Sequence, residues 1–104
     1  MSVIMTLWGR GDPEKLEQYA AEHKDGMQAI LDRAKEHGLI AHRFYGTDGQ
    51  IMVVDEWPDA ESFQTFFASV EDQVAPMMQA AGIADEPAVS FWRKLDTHDD
   101  YGWD

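Results

Sequence analysis

Ile40-Ala41-His42-Arg43-Phe44-Tyr45-Gly46-Thr47-Asp48-Gly49-Gln50-Ile51-Met52-Val53-Val54-Asp55-Glu56-Trp57 is the stretch whose reading decides the fold. Two runs rich in strand-forming residues, 40–46 and 50–57, flank Thr47-Asp48-Gly49. Asp-Gly between such runs is the strongest short-range hairpin signal, because a type I′ turn needs positive φ at both central residues. With Asp48 and Gly49 at the centre, Thr47 faces Gln50 and the pairing runs back along both strands. Phe44 then faces Val53, His42 faces Asp55 and Ile40 faces Trp57. A three-residue loop would move the register by one and set His42 against Val54 instead.

Upstream, Ser2 to Trp8 reads as a strand with apolar residues on both faces, Val3, Met5 and Leu7 on one and Ile4 and Trp8 on the other, as suits a strand inside a sheet. Gly9-Arg10-Gly11 is expected to break it. Asp12 as N-cap and Pro13 in the first turn open a helix. Its inward stripe, Leu16, Tyr19, Ala20, His23, Met27, Ile30, Leu31 and Ala34, predicts one helix as far as His37-Gly38, with a bend at Gly26. Downstream, Pro58-Asp59 opens a second helix through Phe63, Phe66, Phe67, Val70, Val74, Met77, Met78 and Ala81. Pro76 is expected to kink or split it, with Ser69-x-x-Asp72 recapping a second segment. Gly82 to Pro87 reads as a loop and Ala88–Leu95 as a last strand.

The order β-α-β-β-α-β predicts an α+β, ferredoxin-like domain over residues 1–95, followed by an acidic tail over 96–104. Right-handed crossovers place both helices on one face of a four-stranded antiparallel sheet. The other face, apolar and uncovered, predicts a homodimer closed into an α/β barrel.

Composition narrows the function. In 104 residues there is room for one core. Asp and Glu number 20 against 8 Lys and Arg, for a net charge of −12. Phosphate backbones and anionic membranes need a basic patch, so neither nucleic acid nor membrane is an expected partner. With no cysteine, disulfides, thiolate metal sites, iron–sulfur clusters and thiol nucleophiles are excluded. The opening residues lack the basic n-region of a secretory leader, and no apolar run reaches the ~20 residues of a membrane helix, so a cytoplasmic location is expected.

His42-Arg43-Phe44, the Asp48-Gly49 turn, Val53-Val54-Asp55-Glu56-Trp57, Asp59-Ala60-Glu61-Ser62-Phe63 and Phe66-Phe67 together resemble the antibiotic-biosynthesis-monooxygenase-like family of dimeric α/β barrels. The likeness of element order covers nearly all of the chain. It implies a homodimer with a pocket between each sheet and its own helices. It also implies, as one activity of the family, oxidation of aromatic or polyketide-like phenols without metal, flavin or other cofactor. Other members cleave haem. The characterised members rely on an asparagine, and this chain contains none. Their site-residue sets therefore cannot be carried over whole, and the candidates come from this chain's own pattern.

Directly opposed strand residues bring their Cβ atoms within ~5 Å, so His42 and Asp55 are within reach of an imidazole–carboxylate hydrogen bond. Two readings stand. As a catalytic pair, the carboxylate orients the imidazole to deprotonate a phenol or enol. As a structural pair, the two groups satisfy each other and fix register. Trp8, Phe44, Trp57, Phe63, Phe67 and Trp92 are candidates for lining a pocket around a small aromatic ligand, and the aromatic core is their other reading. Arg43 is a candidate ion-pair partner of Glu56. His23 and His37, roughly 21 Å apart along one helix, are too distant to share a metal. The tail cluster Asp96, His98, Asp99 and Asp100 matches no ligand spacing. No metal is expected. A non-catalytic dimeric module that binds a ligand, or none, is the alternative to an enzyme.

Overall fold

The computed structural model describes residues 1–103. Its elements are β1 (Val3–Arg10), α1 (Pro13–Glu22), α2 (Lys24–Glu36), β2 (Ala41–Thr47), β3 (Gln50–Trp57), α3 (Ala60–Ala80) and β4 (Ala88–Trp92). All strand pairs are antiparallel in the order β2-β3-β1-β4, and the three helices pack on one face. This is the ferredoxin-like arrangement, with the first predicted helix divided in two.

The central hairpin has the expected register: Thr47 pairs with Gln50, Phe44 with Val53 and His42 with Asp55. Its turn differs from type I′. Gly49 takes φ of +70°, whereas Asp48 keeps a negative φ. That sign pattern belongs to a type II turn, which needs positive φ only at its second central residue and still spans two residues. Beside this hairpin end, Gly46 lies so close to Pro13 that a Cβ there would fall 2.7 Å from the proline ring. Glycine at 46 thus lets the start of α1 sit against β2.

α1 starts as expected, with the Asp12 carboxylate accepting from the Glu14 N–H at 2.9 Å. The chain then breaks at His23 (φ −129°, ψ 46°), three residues before the predicted bend at Gly26. His23 stacks on Tyr19 with ring centroids 4.0 Å apart, and its Nδ1 lies 3.0 Å from the Tyr19 carbonyl. A ring that bonds its own preceding turn competes with helix continuation. α2 runs on to Glu36, and Gly38, at φ +98°, turns the chain towards β2.

α3 also departs from expectation. It is neither split nor recapped. Pro76 sits inside one continuous helix, and Ser69 donates its hydroxyl to the Phe66 carbonyl at 2.6 Å. Phe63, Phe66, Val70 and Val74 are buried in one stripe that spans most of the helix, so packing keeps it continuous against the local cost of proline. The Asp59 carboxylate caps α3 and is held below the usual aspartate range by the Ser62 backbone N–H first and the Ser62 hydroxyl second.

β1 continues through Gly9 and Arg10, which pair with Ile51 and Gln50, rather than ending at Trp8. β4 stops at Trp92, opposite Ile4, rather than at Leu95, because β1 extends only one residue beyond that pair. The core forms around Met5, Trp57, Phe63, Phe66, Val70 and Val74, with Ala34 from α2. Trp57 is fully buried and packs its ring 5.4 Å from Phe66 and 5.8 Å from Phe63. Phe66→Ala should therefore destabilise the fold by about 3–5 kcal/mol, the range for losing a large aromatic from a packed core. Urea unfolding followed by tryptophan fluorescence measures this, and a loss under ~1 kcal/mol would place Phe66 outside the core.

Candidate active site

A cavity of about 110 Å³ lies between the inner face of the sheet and the helices. Alternation along the strands decides what reaches it. His42 and Phe44 of β2, Val53 and Asp55 of β3, and Met5 and Leu7 of β1 point inward. α3 contributes Phe63, Phe66 and Phe67, and α2 closes one side with Met27 and Ile30. Among the described residues, the polar or charged ones in this lining are His42 and Asp55.

Their geometry is specific. His42 Nδ1 lies 2.7 Å from Asp55 Oδ1, and Trp57 Nε1 donates to Asp55 Oδ2 at 3.0 Å. Residues 55 and 57 are two apart on one strand, so both face inward and the indole reaches its neighbour's carboxylate. Asp55 is 5% exposed, the buried charged residue of the core. A carboxylate withdrawn from water needs donors on both oxygens, and here each has one. As Asp55 accepts, neutral His42 carries its hydrogen on Nδ1 and keeps the lone pair on Nε2. The imidazole is held from the side as well, its ring meeting Phe44 edge-on at 5.0 Å. The His42 side chain retains 30% exposure, so the site is reachable. Among the described residues no group of three or more His, Cys, Asp or Glu converges as metal ligands would.

Of the residues singled out from sequence, His42, Asp55, Phe44, Phe63 and Phe67 come together at the cavity. Trp57 is not in its wall but behind it, as the tether of Asp55. Trp8 and Trp92 do not reach it. Each pairs with residues of the opposite sheet face, where Trp8 Nε1 donates to Gln50 and Trp92 Nε1 donates to the Thr6 hydroxyl, both at 2.8 Å. Even positions of β1 point away from the helices, and β4 pairs Trp92 with Ile4, so parity excludes both from the cavity. Arg43 and Glu56 share that outer face but do not pair. Arg43 donates to the Tyr45 hydroxyl at 3.2 Å, and Glu56 accepts from the Ser2 hydroxyl. Sequence reasoning missed Met27, Met77 and Met78 as lining residues. Their helical spacing had marked them as core, and only the gap left between helices and sheet makes them a wall.

No family model matches the sequence, and no protein of curated function is similar to it. Structure speaks more clearly. A dimeric ferredoxin-like protein from an uncultured marine organism superposes with a TM-score of 0.65 at 12% identity, over 96% of this chain and 93% of its own. A candidate antibiotic biosynthesis monooxygenase from Bordetella bronchiseptica gives 0.62 at 14% identity, over 90% and 97%. A variant of SnoaB, a cofactor-independent oxygenase from Streptomyces nogalater, gives 0.62 at 10% identity, over 95% and 98%. The chain thus has the ferredoxin-like fold found among antibiotic-biosynthesis-monooxygenase-like proteins. At such identities the likeness is one of fold.

Trp57→Phe keeps the ring in place and removes the donor from Asp55 Oδ2. The buried carboxylate oxygen left unpaired should cost about 1–3 kcal/mol. Chemical denaturation of the variant checks this, and unchanged stability would mean that the indole hydrogen bond does not hold Asp55.

Proposed function

We propose that this chain is a small-molecule enzyme of the cofactor-independent oxygenase type, in which His42 is the general base and Asp55 positions it. One observation carries the reading: a buried carboxylate, occupied on both oxygens, leaves His42 Nε2 as the free basic atom at an otherwise apolar cavity. Nε2 takes the proton of a phenol or enol bound in the cavity. Asp55 compensates the imidazolium that forms, and the apolar walls leave the substrate anion poorly solvated and electron-rich. Dioxygen is the oxidant. One of its atoms bonds to a ring carbon of a phenol, the other leaves as water with two hydrogens, and the phenol becomes a quinone. The shared fold with a cofactor-independent oxygenase supports this chemistry.

The test is dioxygen uptake with electron-rich phenols. His42→Ala should lower turnover by about 10²–10⁴-fold, the range for losing a general base, while the variant stays folded. One observation favours a second, non-catalytic reading: among the described residues no buried side-chain polar atom lacks a partner, so the pair is satisfied without a substrate. Under that reading the wild type binds ligand but consumes no dioxygen, and His42→Ala costs only about 1–3 kcal/mol of stability.

The working unit is a homodimer built on the outer sheet face. Ile4, Trp8, Tyr45 and Trp92 are between 36% and 56% exposed there, with Met52 and Val54 among them. Exposed apolar side chains grouped in this way cost free energy in water until a partner covers them. Dimerisation through it leaves the cavity on the opposite face untouched. A structural neighbour described as a dimeric ferredoxin-like protein supports the assembly. Sedimentation at low micromolar concentration should give twice the 11.8 kDa chain mass, and a species of 11.8 kDa alone would overturn it. No helix among the described residues is long and apolar enough to cross a membrane.

A further inference from the structure

We propose that the cavity accepts a neutral molecule the size of a single ring, a monocyclic phenol or an enol of similar bulk, and excludes fused polycyclic phenols. This rests on the reading of the cavity as a ligand site and narrows it. The volume of about 110 Å³ sets the scale. An apolar cavity of about 150 Å³ holds one benzene molecule, so even one ring needs the pliable part of this wall to give, and pockets for drug-sized ligands begin near ~300 Å³. A second fused ring therefore finds no room inside this volume unless a wall retreats.

Most of the wall cannot retreat. Met5, Leu7 and Val53 stand on β1 and β3, the two inner strands, each hydrogen-bonded to neighbours on both sides. Phe63 is wedged among Trp57, Phe66, Phe67 and Phe91, with centroid separations of 5.4 to 6.4 Å. Met5 is fixed in the sheet core, and the helix-borne Met27, Met77 and Met78 are the pliable part of the wall, enough to shape the cavity around one ring.

Polarity sets the second limit. Asp55 spends one oxygen on His42 and one on Trp57, so Nε2 of His42 is the free polar atom of the lining. It accepts, and the ligand group it selects is a hydroxyl donor. No Lys or Arg lines the cavity, so a carboxylate or phosphate would be buried without a countercharge. A second polar substituent would be buried without a hydrogen-bond partner.

The experiment uses the full chain with its methionine methyl groups labelled with carbon-13, titrated with benzene, phenol, 1-naphthol, anthrone and benzoate. Benzene and phenol should shift the Met77 and Met78 methyl resonances saturably. Phenol should bind more tightly than benzene, and His42→Phe should erase that difference. Apolar area alone would favour the larger ring systems, so the reverse order is the signature of enclosed volume. 1-Naphthol should bind about tenfold or more weakly than phenol, since even one surplus methylene in a closed apolar pocket costs that much. Anthrone and benzoate should leave the methyl groups unmoved. Met77→Ala, or Phe67→Leu should that variant not fold, should admit 1-naphthol. If 1-naphthol or anthrone moves the same methyls as tightly as phenol does, the size limit is overturned and the ligand site stands. If benzoate binds as tightly as phenol through these methyls, the polarity limit is overturned and the ligand site likewise stands. If none of the five compounds moves them, the ligand site itself is overturned, and the size limit with it.

Discussion

The hydrogen-bonded ladder between β2 and β3 tolerates one register, and everything inside the domain depends on it. Side chains alternate across a strand with a period of two, so a slip of one residue would exchange the two faces of β2. His42 would then point at solvent or a partner, and Arg43 would be driven into the apolar core. The two-residue turn at Asp48-Gly49 prevents this by pairing Thr47 with Gln50. It does so although its dihedral signs are not those of type I′, because register depends on the number of turn residues and not on their individual φ values.

Asp55 imposes the next constraint. A carboxylate at 5% exposure cannot exist there without donors, and the fold supplies two by different routes. His42 comes from the neighbouring strand and Trp57 from the same strand, one pleat along. The carboxylate links the edge strand β2 to the aromatic core built on α3. It also fixes which nitrogen of His42 faces outward with a lone pair. Under the proposed function, the contacts that make the buried charge tolerable are also those that orient the base.

The sheet presents two faces with different tasks. Inward, rigid strands and a wedged group of aromatic rings enclose a small apolar space with a single hydrogen-bonding corner. Outward, Trp8 and Trp92 form hydrogen bonds along the sheet surface while their rings stay partly exposed. These two tryptophans belong to the outer sheet face, and Trp57 to the core. Residues of one type, drawn from three strands, are sorted by strand parity alone.

The amino-acid sequence by itself determined the element order, the hairpin register and the meeting of His42 with Asp55. These follow from local rules: turn residues, caps, and alternation along paired strands. The break at His23 was hidden because the apolar stripe continues through it, and only the ring folded back on Tyr19 interrupts the helix. The continuity of α3 through Pro76 was hidden for the opposite reason, since the local cost was visible and the packing that overrides it was not. The removal of Trp8 and Trp92 from the cavity and the methionine wall were decided by tertiary structure. Each depends on the spacing between helices and sheet or on the face a strand presents after pairing with β1. Those are distances between segments far apart in the chain, and no local pattern of residues specifies them.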